Sequence, residues 1–149
     1  MATKGRFLLL MTLLGLVACS PKPAVPDGFA PYKARGVVKA VSPEGVMYRV
    51  RETPNKPEAN LEFWKEALVT RQKRAGYKVV KEGDIEAGKL KGGLLELQAP
   101  MGAQDYTYLI AIFVKGDTLI VVESAGEVKL FETHRQPILH AISKLTQGS

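Results

Sequence analysis

The segment DYTYLIAIFVKGDTLIVVE, residues 105–123, decides the predicted fold of this 149-residue chain. It holds two runs rich in Tyr, Ile and Val, Asp105 to Val114 and Thr118 to Glu123, on either side of Lys115-Gly116-Asp117. Aromatic and β-branched residues favour strands, and a short break containing Gly and Asp is typical of a hairpin. Both alternating sides of the first run are largely apolar, so it predicts a central strand covered on both faces.

A second predicted hairpin lies nearer the start of the chain. Its valine-rich runs, 37–41 and 46–50, flank the turn signal Ser42-Pro43-Glu44-Gly45. The second run alternates between an apolar set and a more polar set, which predicts one buried face and one wet face. The apolar set is Val46, Tyr48 and Val50, and the other is Met47, Arg49 and Arg51.

Apolar residues between the two hairpins follow the 3.6-residue period of a helix, beginning near Leu61. Asn55 or Asn60 is the predicted N-cap, and Gly76 ends the helix in the left-handed conformation. We interpret Trp64, the only tryptophan, as a core anchor against the sheet, the alternative being a platform on which a ligand stacks.

The remaining segments predict further strands and a final helix. Residues 77–86 and 94–98 are extended, with a loop rich in Gly and Lys over 87–93. The final helix opens at 124–126 with Ser124 as its N-cap, and Pro137 interrupts it as a kink or as the start of a second short helix. Runs of strands bracketed by helices favour an α+β fold, an antiparallel β-sheet packed by amphipathic helices.

The start of the chain has the pattern of an export signal. Lys4 and Arg6 precede an apolar stretch, Phe7 to Val17, that is too short to span roughly 30 Å of hydrocarbon. The stretch ends in Leu16-Val17-Ala18-Cys19, which resembles the lipobox of bacterial lipoproteins. The resemblance implies that Leu16, Val17 and Ala18 are recognised by the processing machinery and that the Cys19 thiolate is lipidated. An ordinary cleaved signal with an accidental cysteine and a transmembrane anchor are the alternatives.

The lipobox divides the chain into a signal peptide over 1–18, a lipidated cysteine with a Pro-rich tether over 19–34, and a single α+β domain over 35–149. Two or more acyl chains, palmitate among them, hold a protein firmly in a membrane. The resemblance to bacterial lipoproteins also implies a sorting rule, in which an Asp at position 20 would retain the protein in the inner membrane. Ser20 stands there instead, so in a Gram-negative cell we expect the periplasmic face of the outer membrane.

Composition and motif content argue against several classes of function. Cys19 is the only cysteine, so once it is acylated no thiol remains for a disulfide or a thiolate site. His134 and His140 point about 120° apart on one continuous helix and so cannot share a metal ion there. A kink at Pro137 could change this geometry, but no cysteine or carboxylate cluster completes a site. The chain has a formal charge of +6 but no long run of basic residues, so we expect no nucleic-acid partner. We also expect no enzyme activity, no cofactor and no metal.

The order of the predicted elements and the placement of apolar residues resemble the DcrB/PsbP-like lipoproteins over roughly residues 36–147. The resemblance implies a PsbP-like α/β/α sandwich and a binding or assembly role without catalysis. It supplies no catalytic residue. The residues that carry it are Phe63-Trp64, Tyr106-Thr107-Tyr108 with Ile110 and Ile112, Phe131-Glu132, and Pro137-Ile138-Leu139 with Ile142.

We therefore expect a cell-envelope lipoprotein that binds a protein partner or assists assembly of an envelope complex. The alternatives are a carrier or sensor of a small apolar or lipid ligand, and a hydrolase of unfamiliar type. Arg71, Lys73 and Arg74 are the candidate surface contact, because they make the end of the first predicted helix basic. They would meet anionic lipid or an acidic partner, or simply form a solvated face that complements the helix dipole.

Overall fold

The computed structural model describes residues 24–101 and 104–145, and the predicted lipobox lies outside them. Within these residues, all strands pair antiparallel in one sheet of order β1-β2-β3-β7-β6-β5-β4. The predicted α+β fold with an antiparallel sheet is confirmed. The elements are β1 (Ala30–Ala34), β2 (Val37–Val41), β3 (Met47–Pro54), α1 (Leu61–Arg74), β4 (Lys78–Ala87), β5 (Leu90–Met101), β6 (Gln104–Lys115), β7 (Thr118–Glu127) and α2 (Val128–Ser143).

The two helices cover opposite faces of the sheet. On β6, Leu109 and Phe113 belong to the core beneath α2, whereas Ile110 and Ile112 belong to the core beneath α1. Both sides of this central strand are therefore buried, as its sequence predicted. Within the described residues, neither helix is long and apolar enough to cross a bilayer.

Helix α1 begins and ends where local sequence signals place it. The Asn60 side chain caps the first turn by accepting a hydrogen bond from the Phe63 amide at 3.0 Å. Gly76, at φ +87°, takes the left-handed conformation that follows the last turn. Trp64 packs against the core beneath α1, and its indole N–H donates to Oδ1 of buried Asn55 at 2.7 Å. The interpretation of Trp64 as a core anchor is confirmed.

The domain begins before residue 35, so the predicted boundary of the tether is wrong. Ala30–Ala34 form β1, which pairs with β2 along its whole length. Phe29 is buried and its ring meets that of Tyr48 edge-on, with 6.5 Å between the centroids. Pro31 is tolerated because β1 is an edge strand, where a missing N–H donor can face solvent. Burial of Phe29 and pairing with β2 outweigh the extended preference of a Pro-rich segment.

The predicted loop over 87–93 is also wrong, because β4 and β5 are joined only through Gly88 and Lys89. Gly92 and Gly93 lie inside β5. A Cβ atom at Gly92 would stand 2.4 Å from a ring carbon of Phe113. These glycines therefore permit close packing rather than a flexible loop.

The start of the final helix is a third correction. β7 continues to Glu127 because it pairs with β3 on one side and with β6 on the other. Ser124 is therefore a strand residue, and its hydroxyl donates to the Met47 carbonyl at 2.7 Å instead of capping a helix. α2 then runs as one helix from Val128 to Ser143, with Pro137 inside it, and no second short helix forms in the described residues.

Candidate functional site

Within residues 24–101 and 104–145, one half of the sheet is left uncovered on the α1 side. α1 packs mainly on β4, β5 and β6, while α2 covers the opposite face. The strand register places Tyr32, Lys39 and Arg49 in one row with Glu123, across β1, β2, β3 and β7. We call this surface the open face, and its residues are Tyr32, Val37, Lys39, Val41, Met47, Arg49, Arg51, Glu123 and Ala125.

Glu123 lies at the centre of the charged part of the open face. Its Oε2 accepts hydrogen bonds from Arg49 Nη2, from Arg49 Nε at 2.8 Å and from Arg51 Nε at 3.3 Å. Its Oε1 accepts one from the hydroxyl of Tyr108. The Glu123 side chain is only 11% exposed. The carboxylate is thus enclosed by its donors and holds both guanidinium groups in place.

The protonation states of this cluster follow from its geometry. Burial opposes ionisation of Glu123, but hydrogen bonds from Tyr108 and Arg49, with the charges of Arg49 and Arg51, lower its pKa overall. Burial, and then the bond to Glu123, raise the pKa of Tyr108 well above its usual range. Glu123 is therefore an anion and Tyr108 a neutral donor near pH 7, which are the states that their hydrogen bond requires.

The outer edge of the cluster remains available for contacts. Among the described residues, Arg51 makes its hydrogen bond through Nε alone, and Arg49 uses Nε and Nη2. A groove of about 230 Å³ lies against Arg49, with Tyr32, Lys39 and Met47 also in its lining. Tyr32 is 45% exposed and Met47 is 51% exposed. The open face thus combines basic donors with exposed aromatic and thioether side chains.

Comparison with known proteins gives the fold and nothing finer. No family model and no curated protein sequence matches the chain. The chain is similar to the crystal structure of PA94, a protein of unknown function from Pseudomonas aeruginosa, with 12% identity and a TM-score of 0.63 over 79% of this chain and 96% of that one. It is also similar to PsbP (CyanoP) from Synechocystis sp. PCC 6803, with 10% identity and a TM-score of 0.57 over 81% of this chain and 82% of that one. The chain has a PsbP-like α+β fold.

In this PsbP-like structure, the predicted basic contact lies in the last turn of α1 and is not part of the open face. Arg71, Lys73 and Arg74 are exposed at the end of α1. At about 100° per residue, Arg71 shares a flank with Trp64 on the β3 side, while Lys73 lies on the flank of Lys65, which pairs with Asp84 of β4 at 2.9 Å. Arg74 lies between them, about 60° from Arg71 and about 100° from Lys73 around the helix axis, so the three charges are spread over the solvent side of α1.

The two histidines lie six residues apart on α2. His134 Nε2 lies 2.9 Å from a carboxylate oxygen of Glu44, in the turn between β2 and β3. His140 lies in the last turn of α2. Within the described residues, no three side chains of His, Cys, Asp or Glu come together as a metal site.

The carboxylates of Asp84 in β4 and Glu96 in β5 lie on opposite faces of the sheet. Asp84 meets Lys65 on the α1 side of the sheet. Glu96 is buried on the α2 side, where it accepts from Arg135 Nη1 at 2.6 Å. The sheet stands between them, so they do not converge on one substrate.

The sequence pattern indicates the wet face of β3 but not the rest of the open face. Alternation in β3 already placed Arg49 and Arg51 together with Met47. Glu123 lies 74 residues beyond Arg49, and only the pairing of β3 with β7 brings them together. The signal available was Glu123 directly after the apolar run 119–122, together with a strand that carries two arginines on one face.

Proposed function

We propose that this protein is a non-catalytic, lipid-anchored protein of the cell envelope, and that it binds a protein partner through the open face. The observation that carries the proposal is the uncovered half of the sheet, where Tyr32 and Met47 are about half exposed beside Arg49 and Arg51. Tyr, Met and Arg are enriched at protein interfaces, and Tyr and Arg carry much of the binding energy measured there.

The rigidity of the open face supports the same proposal. Arg49 and Arg51 are tied to Glu123, and Glu123 is also held by Tyr108. Side chains already fixed in one conformation lose less entropy when a partner binds, which favours affinity. A strand pair within a seven-stranded sheet supplies a stable backbone beneath them.

The anchor rests on the sequence Leu16-Val17-Ala18-Cys19 alone. If Cys19 carries the lipid, the folded domain lies close to the bilayer, because Ala24 and Val25 already pack against the core beneath α2. A fully extended chain rises about 3.3–3.6 Å per residue, so Ala24 would stand no more than about 18 Å from Cys19. We propose that the partner is met at the membrane surface, on the periplasmic face of the outer membrane in a Gram-negative cell.

Partner binding is tested by placing a photo-crosslinking amino acid at Met47 in the full chain, expressed in the source cells. The matched control places it at Thr70, which is exposed on α1 and lies outside the open face. We expect a discrete crosslinked product at position 47 that is absent at position 70. Equal products at both positions, or none at position 47, would overturn the proposal.

The anchor is tested separately with the variant Cys19→Ser and a tagged fatty acid. We expect label in the wild-type chain and none in the variant, because a hydroxyl does not replace the thiolate as acceptor. Equal labelling of the two chains would contradict lipidation at Cys19.

A further inference from the structure

We propose that the open face binds an extended acidic segment of the partner, in which one apolar side chain and two carboxylates occupy alternate positions. This inference rests on the proposed partner binding and names the chemistry of the bound segment. Its structural basis is the row Met47, Arg49 and Arg51 along β3, with Lys39 and Tyr32 on the neighbouring strands.

The charge of the open face selects an anionic partner. Lys39, Arg49 and Arg51 are its basic residues, and Glu123 is its acidic one. The Glu123 carboxylate points into the cluster, where its oxygens accept hydrogen bonds from Arg49, Arg51 and Tyr108. The charge that faces an approaching molecule is therefore positive.

The free donors suit carboxylates in particular. A guanidinium group presents a planar fork of N–H donors that matches the two oxygens of a carboxylate. Arg51 engages Glu123 through Nε at 3.3 Å, which leaves its two terminal nitrogens without a bond to any described residue. Because Glu123 already fixes the orientation of Arg49 and Arg51, a second carboxylate meets prearranged donors.

The spacing of the row specifies an extended segment. Residues two apart in a strand lie on the same face, about 6.6 Å from one another. Met47, Arg49 and Arg51 have this spacing, and alternate side chains of an extended peptide have it too. A segment with the pattern apolar-x-acidic-x-acidic therefore places one side chain opposite each member of the row.

The position of α1 disfavours a flat anionic membrane as the occupant. α1 lies on the same side of the sheet as the open face, above β4, β5 and β6. A helix with its side chains is about 10–12 Å thick, so the open face is recessed beside it. A narrow peptide chain reaches such a recess, whereas a planar bilayer meets α1 first.

The test uses three fluorescent peptides and the full chain in a non-ionic detergent. The peptide GLSESEG has the proposed pattern, GLSQSQG removes both charges, and GLEESSG keeps the composition but places the carboxylates side by side. We expect GLSESEG to bind about tenfold more tightly than either control, with an affinity that falls as salt screens the ion pairs. Anisotropy titrations at low and physiological salt measure this.

Two variants connect the binding to the row on β3. Arg51→Gln removes one guanidinium while Arg49 and Tyr108 still hold Glu123, so the cluster is preserved. Lys129→Gln, on exposed α2 surface of the opposite side, removes the same charge elsewhere. We expect Arg51→Gln to weaken binding of GLSESEG about fivefold to tenfold and Lys129→Gln to change it less than twofold.

Equal binding of the three peptides, or equal effects of the two variants, would overturn the inference. So would binding to vesicles of anionic lipid with no binding of GLSESEG, because the occupant would then be a membrane. The proposed function fails differently, through loss of the Met47 crosslink. A crosslink that persists in Arg51→Gln while GLSESEG fails to bind leaves partner binding in place and refutes only the acidic segment.

Discussion

Replacing Tyr48 with Phe is expected to stabilise the domain, although it removes a polar atom from the native side chain. The Tyr48 side chain is 1% exposed in the core beneath α2, and its hydroxyl has no hydrogen-bond partner among the described residues. Burial also raises its pKa far above the usual range. In the unfolded chain the same hydroxyl bonds to water, so folding loses that bond without replacement.

The magnitude follows from the cost of burying an unpaired hydroxyl, about 1–3 kcal/mol in proteins. Tyr48→Phe deletes the hydroxyl and leaves the ring, including its edge contact with Phe29, in place. Part of the gain is offset by the small void that the oxygen leaves. We therefore expect the free energy of unfolding to rise by about 1 kcal/mol.

The same substitution at Tyr108 is the matched control and has the opposite expected sign. Tyr108 donates to Glu123, so Tyr108→Phe removes a bond to a charged acceptor. Such bonds contribute about 1.5–3 kcal/mol, and the partial exposure of Tyr108 reduces this. We expect a loss of about 1–2 kcal/mol for the deletion of one oxygen atom.

Urea unfolding of the Cys19→Ser chain, followed by fluorescence of the single Trp64, compares the variants. Thermal unfolding gives a second measure, with a midpoint shift of about 4 °C per kcal/mol. A Tyr48→Phe variant less stable than the parent by more than about 0.5 kcal/mol would refute the argument. Such a loss would mean that the Tyr48 hydroxyl of the parent has a hydrogen-bond partner. Shifts of both variants in the same direction would refute it as well.

Other expectations concern packing, hydrogen bonding, the first strand and pH. Gly92→Ala should destabilise the domain by at least about 2 kcal/mol, because the new Cβ would stand 2.4 Å from the ring of Phe113. Gly93→Ala should cost less than about 1 kcal/mol, because its Cβ meets only the flexible side chain of Lys65. Asn55→Ala should cost about 2–4 kcal/mol, because buried Asn55 bonds to the Trp64 indole and to backbone groups of two loops. Phe29→Ala should cost about 3 kcal/mol, since Phe29 is buried in the core beneath α2. Above pH 10 stability should fall, because burial raises the folded pKa of Tyr48 above its unfolded value of about 10, so the unfolded chain loses its proton first.

Each of these has a measurement and a control. The effect of each substitution on stability is measured from its urea unfolding midpoint. If Gly92→Ala destabilises the domain no more than Gly93→Ala does, the packing argument is refuted. Tyr32→Ala, at an exposed position of β1, should be nearly neutral beside Phe29→Ala. Stability measured from pH 8 to 11 should fall less steeply in the Tyr48→Phe variant, and equal slopes would show that Tyr48 does not titrate differently in the two states.

Local signals in the sequence predicted those elements whose limits are set by nearby residues. Asn60 and Gly76 mark the two ends of α1, because a side-chain cap and a left-handed residue act within a few positions of the chain. The alternation of apolar and polar residues over 46–51 predicted which side of β3 is buried and which is wet, again from neighbouring residues alone. The lipobox prediction at Cys19 also rests on adjacent residues, and it remains a prediction because it lies outside the described residues.

The errors arose where distant residues decide the local structure. The sequence of Ala30–Ala34 is typical of a tether, but pairing with β2 makes it a strand. Gly92 is typical of a loop, but it packs closely against Phe113 inside β5. Ser124 looks like a helix cap, but pairing with β3 and β6 keeps it in a strand. In each case, hydrogen bonds and burial supplied by another part of the chain outweigh the local preference.

The α+β class, the helix α1 and the basic wet side of β3 were determined by the sequence itself, because periodicity and turn chemistry act over short stretches. The open face was decided only by the tertiary structure. Which half of the sheet α1 leaves uncovered depends on packing against β4, β5 and β6, and the contact of Glu123 with Arg49 spans 74 residues. Strand register fixes such contacts, and register is settled when separate strands pair and bury one face together.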